Sequence, residues 1–235
     1  MTRSFTIRQL ALTAALAGSM CVPVHAQALR SEQIFAELID RNRTRAGGLL
    51  EYTADRVYRL SDPGGKIHAQ IEGRMEFEAP ESKTFVTKSE AGSAIGRHLA
   101  LKPLIASEID AARGKDRHDS AFTPANYTLE LIGEGEVRNH LCYVLRADKY
   151  LFEGKVWIDK QDVAMARIEG HPAANLSFWI KRADFVRDYE KVAGFWLPLK
   201  DETVVQVRMY GKKILTIGYA DYAVRARPLE AESRR

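Results

Sequence analysis

Residues 67–78 alternate between apolar and polar side chains, and this period of two constrains the fold more than any other feature of the sequence. Successive side chains of a β-strand point to opposite faces, so the apolar set shares one face and the polar set shares the other. The apolar face holds Ile67, Ala69, Ile71, Met75 and Phe77. We therefore expect a long strand that is buried on one side and solvated on the other, as in an antiparallel sheet.

Turn signals around this strand predict an antiparallel meander. A strand over 50–60 is joined to it through Ser61-Asp-Pro-Gly-Gly65, in which proline fixes φ and the glycines accept positive φ. A third strand is expected over 83–89, and seven more over 127–133, 140–148, 155–159, 165–170, 177–189, 195–210 and 213–224. The turns after residue 127 are signalled by GEG at 133–135, DKQD at 159–162, GHP at 170–172, AG at 193–194 and Gly211. About ten strands thus belong to one domain.

Two helical regions accompany the strands. Ser31 is the predicted N-cap of an amphipathic helix that ends at Gly47-Gly48, with apolar residues at helical spacing between them. An insertion over about 93–112 is predicted to hold two short helices, the second started by Pro103. The fold class is therefore mainly β (α+β). A curved sheet wrapped over short, separately tethered helices forms a container more readily than a solid core.

The N-terminus has the composition of a secretory signal over residues 1–26. Arg3 and Arg8 precede the apolar run LALTAALA at 10–17, and Val24-His25-Ala26 is the expected cleavage site, with Ala26-Gln27-Ala28 as the alternative. The apolar run is too short to span a bilayer unaided, and an uncleaved anchor is the competing interpretation. We expect a periplasmic protein with one domain over 27–224 and a basic, solvated tail over 225–235.

The distribution of charge argues against nucleic-acid binding. The chain has 35 Lys and Arg and 31 Asp and Glu; the first 26 residues hold two arginines and no acid, and the last eleven hold four arginines and two glutamates. The body between them therefore carries 29 basic and 29 acidic residues. Nucleic-acid binding needs a clustered basic face to neutralise phosphates, which a neutral body does not indicate.

The sequence offers no pattern typical of an enzyme or a metal site. The histidines are scattered singly, and neither HExxH nor CxxC spacing occurs. No GxSxG elbow is present, and Cys142 lies in an apolar strand where a buried thiol is expected. We therefore expect no enzyme activity and no cofactor. An enzyme with a dispersed site is the least favoured alternative.

Several strand motifs resemble those of the periplasmic outer-membrane lipoprotein-sorting proteins, the LolA/LolB-like lipoprotein-localisation carriers. The motifs are YVLRA at 143–147, GKVWIDK at 154–160, ARIEG at 166–170, FWLP at 195–198 and LTIGYADY at 215–222. The resemblance implies a half-open antiparallel β-barrel closed by helices, whose apolar cavity accepts lipid or lipoprotein acyl chains on their way to the outer membrane. It also implies inner- and outer-membrane protein partners and a monomeric carrier.

The resemblance implies a set of ligand-binding residues as well. The concave wall would be formed by Ile71, Met75, Phe77 and Phe85, and the helical lid would contribute Leu99, Leu101, Leu104 and Ile105. Envelope-stress regulators that recognise a membrane-anchored partner protein use the same fold, so a protein-binding module is the alternative function.

Overall fold

Ten strands form a single antiparallel sheet in the computed structural model, which describes residues 24–113, 122–148, 152–173 and 180–227. The strands are β1 (Leu49–Ser61), β2 (Ile67–Glu78), β3 (Ser82–Gly92), β4 (Thr128–Val137), β5 (His140–Asp148), β6 (Phe152–Asp159), β7 (Ala164–Pro172), β8 (Ile180–Val192), β9 (Phe195–Val207) and β10 (Gly211–Ala226). Their order is β3-β2-β1-β10-β9-β8-β7-β6-β5-β4, so β3 and β4 form the two edges of the sheet. The predicted mainly β, half-open architecture is confirmed.

Both helical regions that the sequence predicts are present, but the first helix begins earlier than expected. Helix α1 spans Val24–Gly48, and the insertion holds α2 (Ala94–Gly96), a π-helical turn (Arg97–Leu101) and α3 (Lys102–Asp110). We call residues 93–112 the lid. The Ser93 hydroxyl caps the lid by accepting the amide of Gly96 at 3.1 Å, and Pro103 lies in the first turn of α3. The two short helices of the insertion are thus one continuous helical segment, because the π-helical turn joins them.

The alternation in β2 buries one face of the strand and leaves the other in contact with solvent, as predicted. Ala69, Ile71 and Met75 are at most 1% exposed, whereas the polar side chains between them keep contact with solvent. Ile67 is 50% exposed because it begins the strand at the edge of the covered region. The buried face of the sheet divides into one cluster under α1 and another under the lid.

Ser31 is not the N-cap of α1, because the helix begins seven residues earlier at Val24. Its side chain is 3% exposed, and its hydroxyl accepts the amide of Leu131 at 2.8 Å. A register shift between Leu131 and Gly133 in β4 interrupts the regular ladder there. A bulge of this kind leaves a backbone group for another partner. Ser31 therefore joins α1 to the sheet instead of starting the helix.

The glycines at 133–135 and 170 do not form the predicted turns. The β4–β5 turn is at Arg138-Asn139, whose φ angles of 51° and 67° suit a two-residue hairpin. Gly135 lies within β4, where an added Cβ would come within 2.6 Å of the Trp157 ring. Gly170 pairs with Gly154, and a Cβ on either would meet an opposing carbonyl at 2.0–2.2 Å. These glycines allow close approach between strands.

The domain limits can be compared with the described residues only in part. The expected cleavage site, Val24-His25-Ala26, forms the first residues of α1, whereas residues 1–23 lie outside the described residues. At the other end, β10 continues through Arg225 to Ala226, two residues beyond the predicted strand end, and residues 228–235 lie outside the described residues. Within the described part of the chain, no helix has both the length and the apolar character needed to cross a bilayer.

Candidate functional site

The lid covers the sheet over β1, β2 and β10 through an apolar cluster. Leu101 and Ile105 are 0% and 7% exposed, and they pack with Ile71, Tyr58 and Ile217. Phe85 and Leu104 pack against the same cluster while partly buried. Five of the eight predicted ligand-binding residues, Ile71, Phe85, Leu101, Leu104 and Ile105, therefore meet where the lid touches the sheet.

The other three predicted residues have different surroundings. Met75 is fully buried and lies opposite Phe85 in the β2–β3 pairing. Phe77 stacks on Tyr52 of β1 with ring centroids 5.2 Å apart. Leu99 is 71% exposed, so the expectation that it lines the interior is corrected. Two helical positions separate Leu99 from the buried Leu101, which places the two side chains on opposite sides of the segment.

A cavity of about 210 Å³ lies beside this cluster, beneath the C-terminal end of the lid. Its walls are aromatic and charged instead of aliphatic. The charged lining residues are Arg56, Lys83, Glu108 and Arg187, and they are joined by Tyr52, Tyr219, Pro198, Ala111 and Ala112. The apolar side chains under the lid pack on one another, as in the edge-to-face contact of Tyr58 with Phe85 at 5.5 Å.

Glu108 of α3 is the centre of a buried charged network. Its carboxylate accepts a hydrogen bond from Arg56, one of 2.9 Å from the Tyr58 hydroxyl and one of 2.9 Å from Lys83 Nζ. Burial by itself raises the pKa of Glu108, but the charges of Arg56 and Lys83 outweigh it and lower the pKa to about 2. Glu108 is therefore ionised at neutral pH, and it attaches the lid to β1 and β3.

Arg56 is the most deeply buried charge of this network. Its side chain is 1% exposed and its guanidinium lies 4.3 Å from the centre of the Tyr219 ring. A cation over an aromatic face is stabilised electrostatically. Its Nε has no hydrogen-bond partner among the described residues. The alternation of β1 places Arg56 between Ala54 and Tyr58 on the inward face, where a cation is unusual.

A second ion pair closes the far side of the cavity. Arg187 of β8 donates two hydrogen bonds, of 2.7 and 2.5 Å, to Asp201 of β9, which also accepts one of 3.0 Å from the Tyr219 hydroxyl. The Arg187 side chain keeps 43% of its surface accessible because it faces the cavity. Tyr219 therefore links the two charged groups, through its ring to Arg56 and through its hydroxyl to Asp201.

Sequence reasoning did not identify Arg56, Glu108 or their neighbours. A signal for Arg56 existed, since its position in the strand alternation is inward. No sequence signal marked Glu108, because it lies in a short helix of mixed composition and its three partners are 25 to 52 residues away in the sequence. Only the folded lid brings these groups together.

The thiol and the possible metal ligands that the sequence offered form no reactive site in the described part of the chain. Cys142 is fully buried, as predicted, and burial raises the pKa of its thiol to about 11. In the described part of the chain, no three His, Cys, Asp or Glu side chains are grouped so that they could hold a metal ion.

A larger cleft of about 680 Å³ crosses β4–β9, lined by apolar residues such as Phe185 and Val204 and by charged residues such as Lys155 and Glu169.

Comparison with known proteins finds similarity at the level of structure. No family model and no curated protein matches the chain. A domain named for outer-membrane lipoprotein sorting, from Vibrio parahaemolyticus, is 10% identical with a TM-score of 0.48; the match covers 84% of this chain and 93% of that one. A DUF1329-family protein from Desulfovibrio piger is 12% identical, with a TM-score of 0.43 and coverages of 83% and 92%.

A LolA-superfamily protein from Nitrosomonas europaea is also similar, with 9% identity, a TM-score of 0.38 and coverages of 87% and 98%. All three similarities concern the fold, because the sequence identity is at most 12%.

Proposed function

We propose that this protein is a periplasmic carrier that binds lipid or lipoprotein acyl chains between the lid and the sheet, for transport toward the outer membrane. The observation that carries the proposal is the attachment of the lid. Its apolar inner side covers an apolar sheet face, and a compact charged network holds its C-terminal end. Displacing the lid would uncover Ile71, Phe85 and Tyr58 as a continuous apolar surface.

Exposing the buried apolar side chains to water costs about 25 cal/mol for each Å², so the lid stays closed in the empty protein. An acyl chain that enters as the lid withdraws covers the same surface and offsets that cost. The site would therefore be created by the ligand in a region that the closed protein fills with its own side chains. Pockets lined by aliphatic and aromatic side chains suit such ligands.

The test is ligand loading measured by native mass spectrometry and by binding of a fluorescent fatty-acid probe. The exported protein, purified from its natural host, is expected to carry lipid. Leu104→Glu places a charge on the inner side of the lid and should weaken probe binding by roughly tenfold or more. Leu99→Glu is the matched control, because Leu99 belongs to the same lid and is exposed. It should bind the probe as the natural protein does.

An empty protein that binds no acyl probe would contradict the carrier. So would equal binding by both variants, because the inner side of the lid would then have no part in the site. An empty protein that forms a defined complex with one membrane-anchored envelope protein would favour the alternative function, a regulatory binding module.

A further inference from the structure

Five large apolar side chains are exposed in segments that begin or turn at one end of the strands. They are Ile67 (50%), Ile95 (72%), Leu99 (71%), Met209 (92%) and Tyr210 (73%), and we call them the apolar rim. Strand pairing brings these segments to the same end of the sheet. Ser61 at the end of β1 pairs with Ile67 on one side and with Ile214, near the start of β10, on the other. The lid also begins at this end of the strands, since Gly92, the residue before it, pairs with Ala69 near the start of β2.

Met209 and Tyr210 form the tip of the β9–β10 hairpin. Met209 has a φ of 66° and Gly211 a φ of 71°, so the turn holds both large side chains outside the ladder. Hairpin turns are usually polar, with Gly, Asn or Asp at such angles. An exposed methionine and tyrosine at the tip contribute little to folding, and large apolar side chains exposed among charged residues typically mark an interaction site.

Positive charge surrounds this tip. Residues 180–184 and 206–213 contain five cations, Lys181, Arg182, Arg208, Lys212 and Lys213, and a single acid, Asp184. Arg182 and Lys212 lie on either side of Gln206 in the strand register, so the charges from β8 and β10 share one surface. The body of the chain is neutral as a whole, and this excess of four positive charges is therefore local.

An apolar tip flanked by cations is the chemistry that binds an anionic bilayer surface. Each Lys or Arg near such a surface is worth about 1 kcal/mol, and tyrosine is favoured at the level of the lipid headgroups. A second copy of this chain would place the same positive charge against itself, which disfavours self-association through this face. We propose that the apolar rim docks onto an anionic phospholipid membrane, with Met209 and Tyr210 inserted among the headgroups and the flanking cations against the phosphates.

The experiment is co-sedimentation of the full chain with vesicles of phosphatidylcholine, with and without phosphatidylglycerol. Binding is expected to the vesicles that contain phosphatidylglycerol, and to weaken with added salt because exposed charges are screened. The double variant Met209→Ser, Tyr210→Ser should bind roughly tenfold more weakly, since it removes the apolar contribution. Lys212→Gln with Lys213→Gln should reduce the preference for phosphatidylglycerol.

Leu141→Ser is the matched control, because Leu141 is 65% exposed at the start of β5, at the opposite end of the strands. It should leave vesicle binding unchanged, and thermal unfolding verifies that all variants fold. Equal sedimentation with both kinds of vesicle, or undiminished binding by the double variant at 209 and 210, would overturn the proposal. So would absence of vesicle binding together with a complex between the rim and an acidic protein. Acyl-probe binding is measured separately, so failure of either proposal is recognised independently of the other.

Discussion

Helix α1 and the lid cover two halves of the same face of the sheet, and they are attached to it by different chemistry. Helix α1 packs through Ile34, Phe35 and Leu38, and its buried polar contacts use backbone groups: Ser31 accepts a sheet amide, and Arg45 donates to the carbonyl of Val163 at 3.2 Å. The lid depends instead on carboxylates: Glu108 accepts from three side chains, and Glu90 of β3 pairs with Arg97 and Lys102 of the lid. Backbone contacts do not titrate, whereas a carboxylate does. The attachment of the lid should therefore depend on pH, whereas the buried polar contacts of α1 should not.

Arg56→Met should be the most destabilising change on the lid side. The variant leaves Glu108 buried with a weakened set of partners, and breaking a buried ion pair in this way typically costs about 3–5 kcal/mol. Urea unfolding measures the loss. The control is Arg41→Met on α1, because the Arg41–Glu37 pair is exposed and such pairs contribute about 0–1 kcal/mol. Equal losses in the two variants would remove the contrast between the halves.

Acid should release the lid before α1. The pKa of Glu108 is lowered from 4.5 to about 2, so its contribution is complete above pH 4.5 and is lost as the pH falls toward 2. The expected loss is on the order of 3 kcal/mol. Hydrogen exchange between pH 5 and pH 2.5 should show α3 amides losing protection ahead of α1 amides. In Glu108→Gln most of this differential pH dependence should disappear; its persistence at full size would assign the effect to Glu90, which pairs with Arg97 and Lys102 of the lid.

Ser31→Ala tests the α1 side. The change leaves the amide of Leu131 buried without its acceptor, which costs about 1–3 kcal/mol. Denaturant unfolding should show this loss with the same magnitude at pH 7 and pH 4, because neither partner titrates in that range. A pH-dependent loss would contradict the distinction between the two attachments.

Leu99→Ser should have the smallest effect. The side chain is 71% exposed, and surface substitutions of this kind usually change stability by less than about 0.5 kcal/mol. Thermal unfolding checks this. A large destabilisation would mean that Leu99 packs inward, as the family resemblance implied.

Local patterns predicted the strands well because burial on one face imposes a period of two wherever the partner strand lies. The predicted limits of β2, 67–78, agree with the structure for that reason. Turn prediction failed where a glycine had another use: Gly135 makes room for Trp157, which is 22 residues away. Ser31 carried a sound N-cap signal, and a bulge 100 residues away gave it a different partner.

The charged network lay beyond sequence reasoning for a related reason. Arg56 was recognisable as an inward cation, but its partner depends on how the lid lies across the sheet. Periodicity identifies faces, and it says nothing of which side chain from a distant element meets a given face. The apolar part of the site was accessible because any apolar side chain satisfies an apolar neighbour, whereas a buried charge needs one particular partner.

The strand order determines which part of the sheet the lid acts on. β3 and β4 are the two edges of the sheet, and the chain passes from one to the other through the lid. The lid follows β3 directly after Gly92, and Glu108 near its other end binds Lys83 of β3 together with Arg56 and Tyr58 of β1. Both anchors therefore lie on the β3 side of the sheet. A change in the lid acts first on the strands of that side and not on the strands that α1 covers.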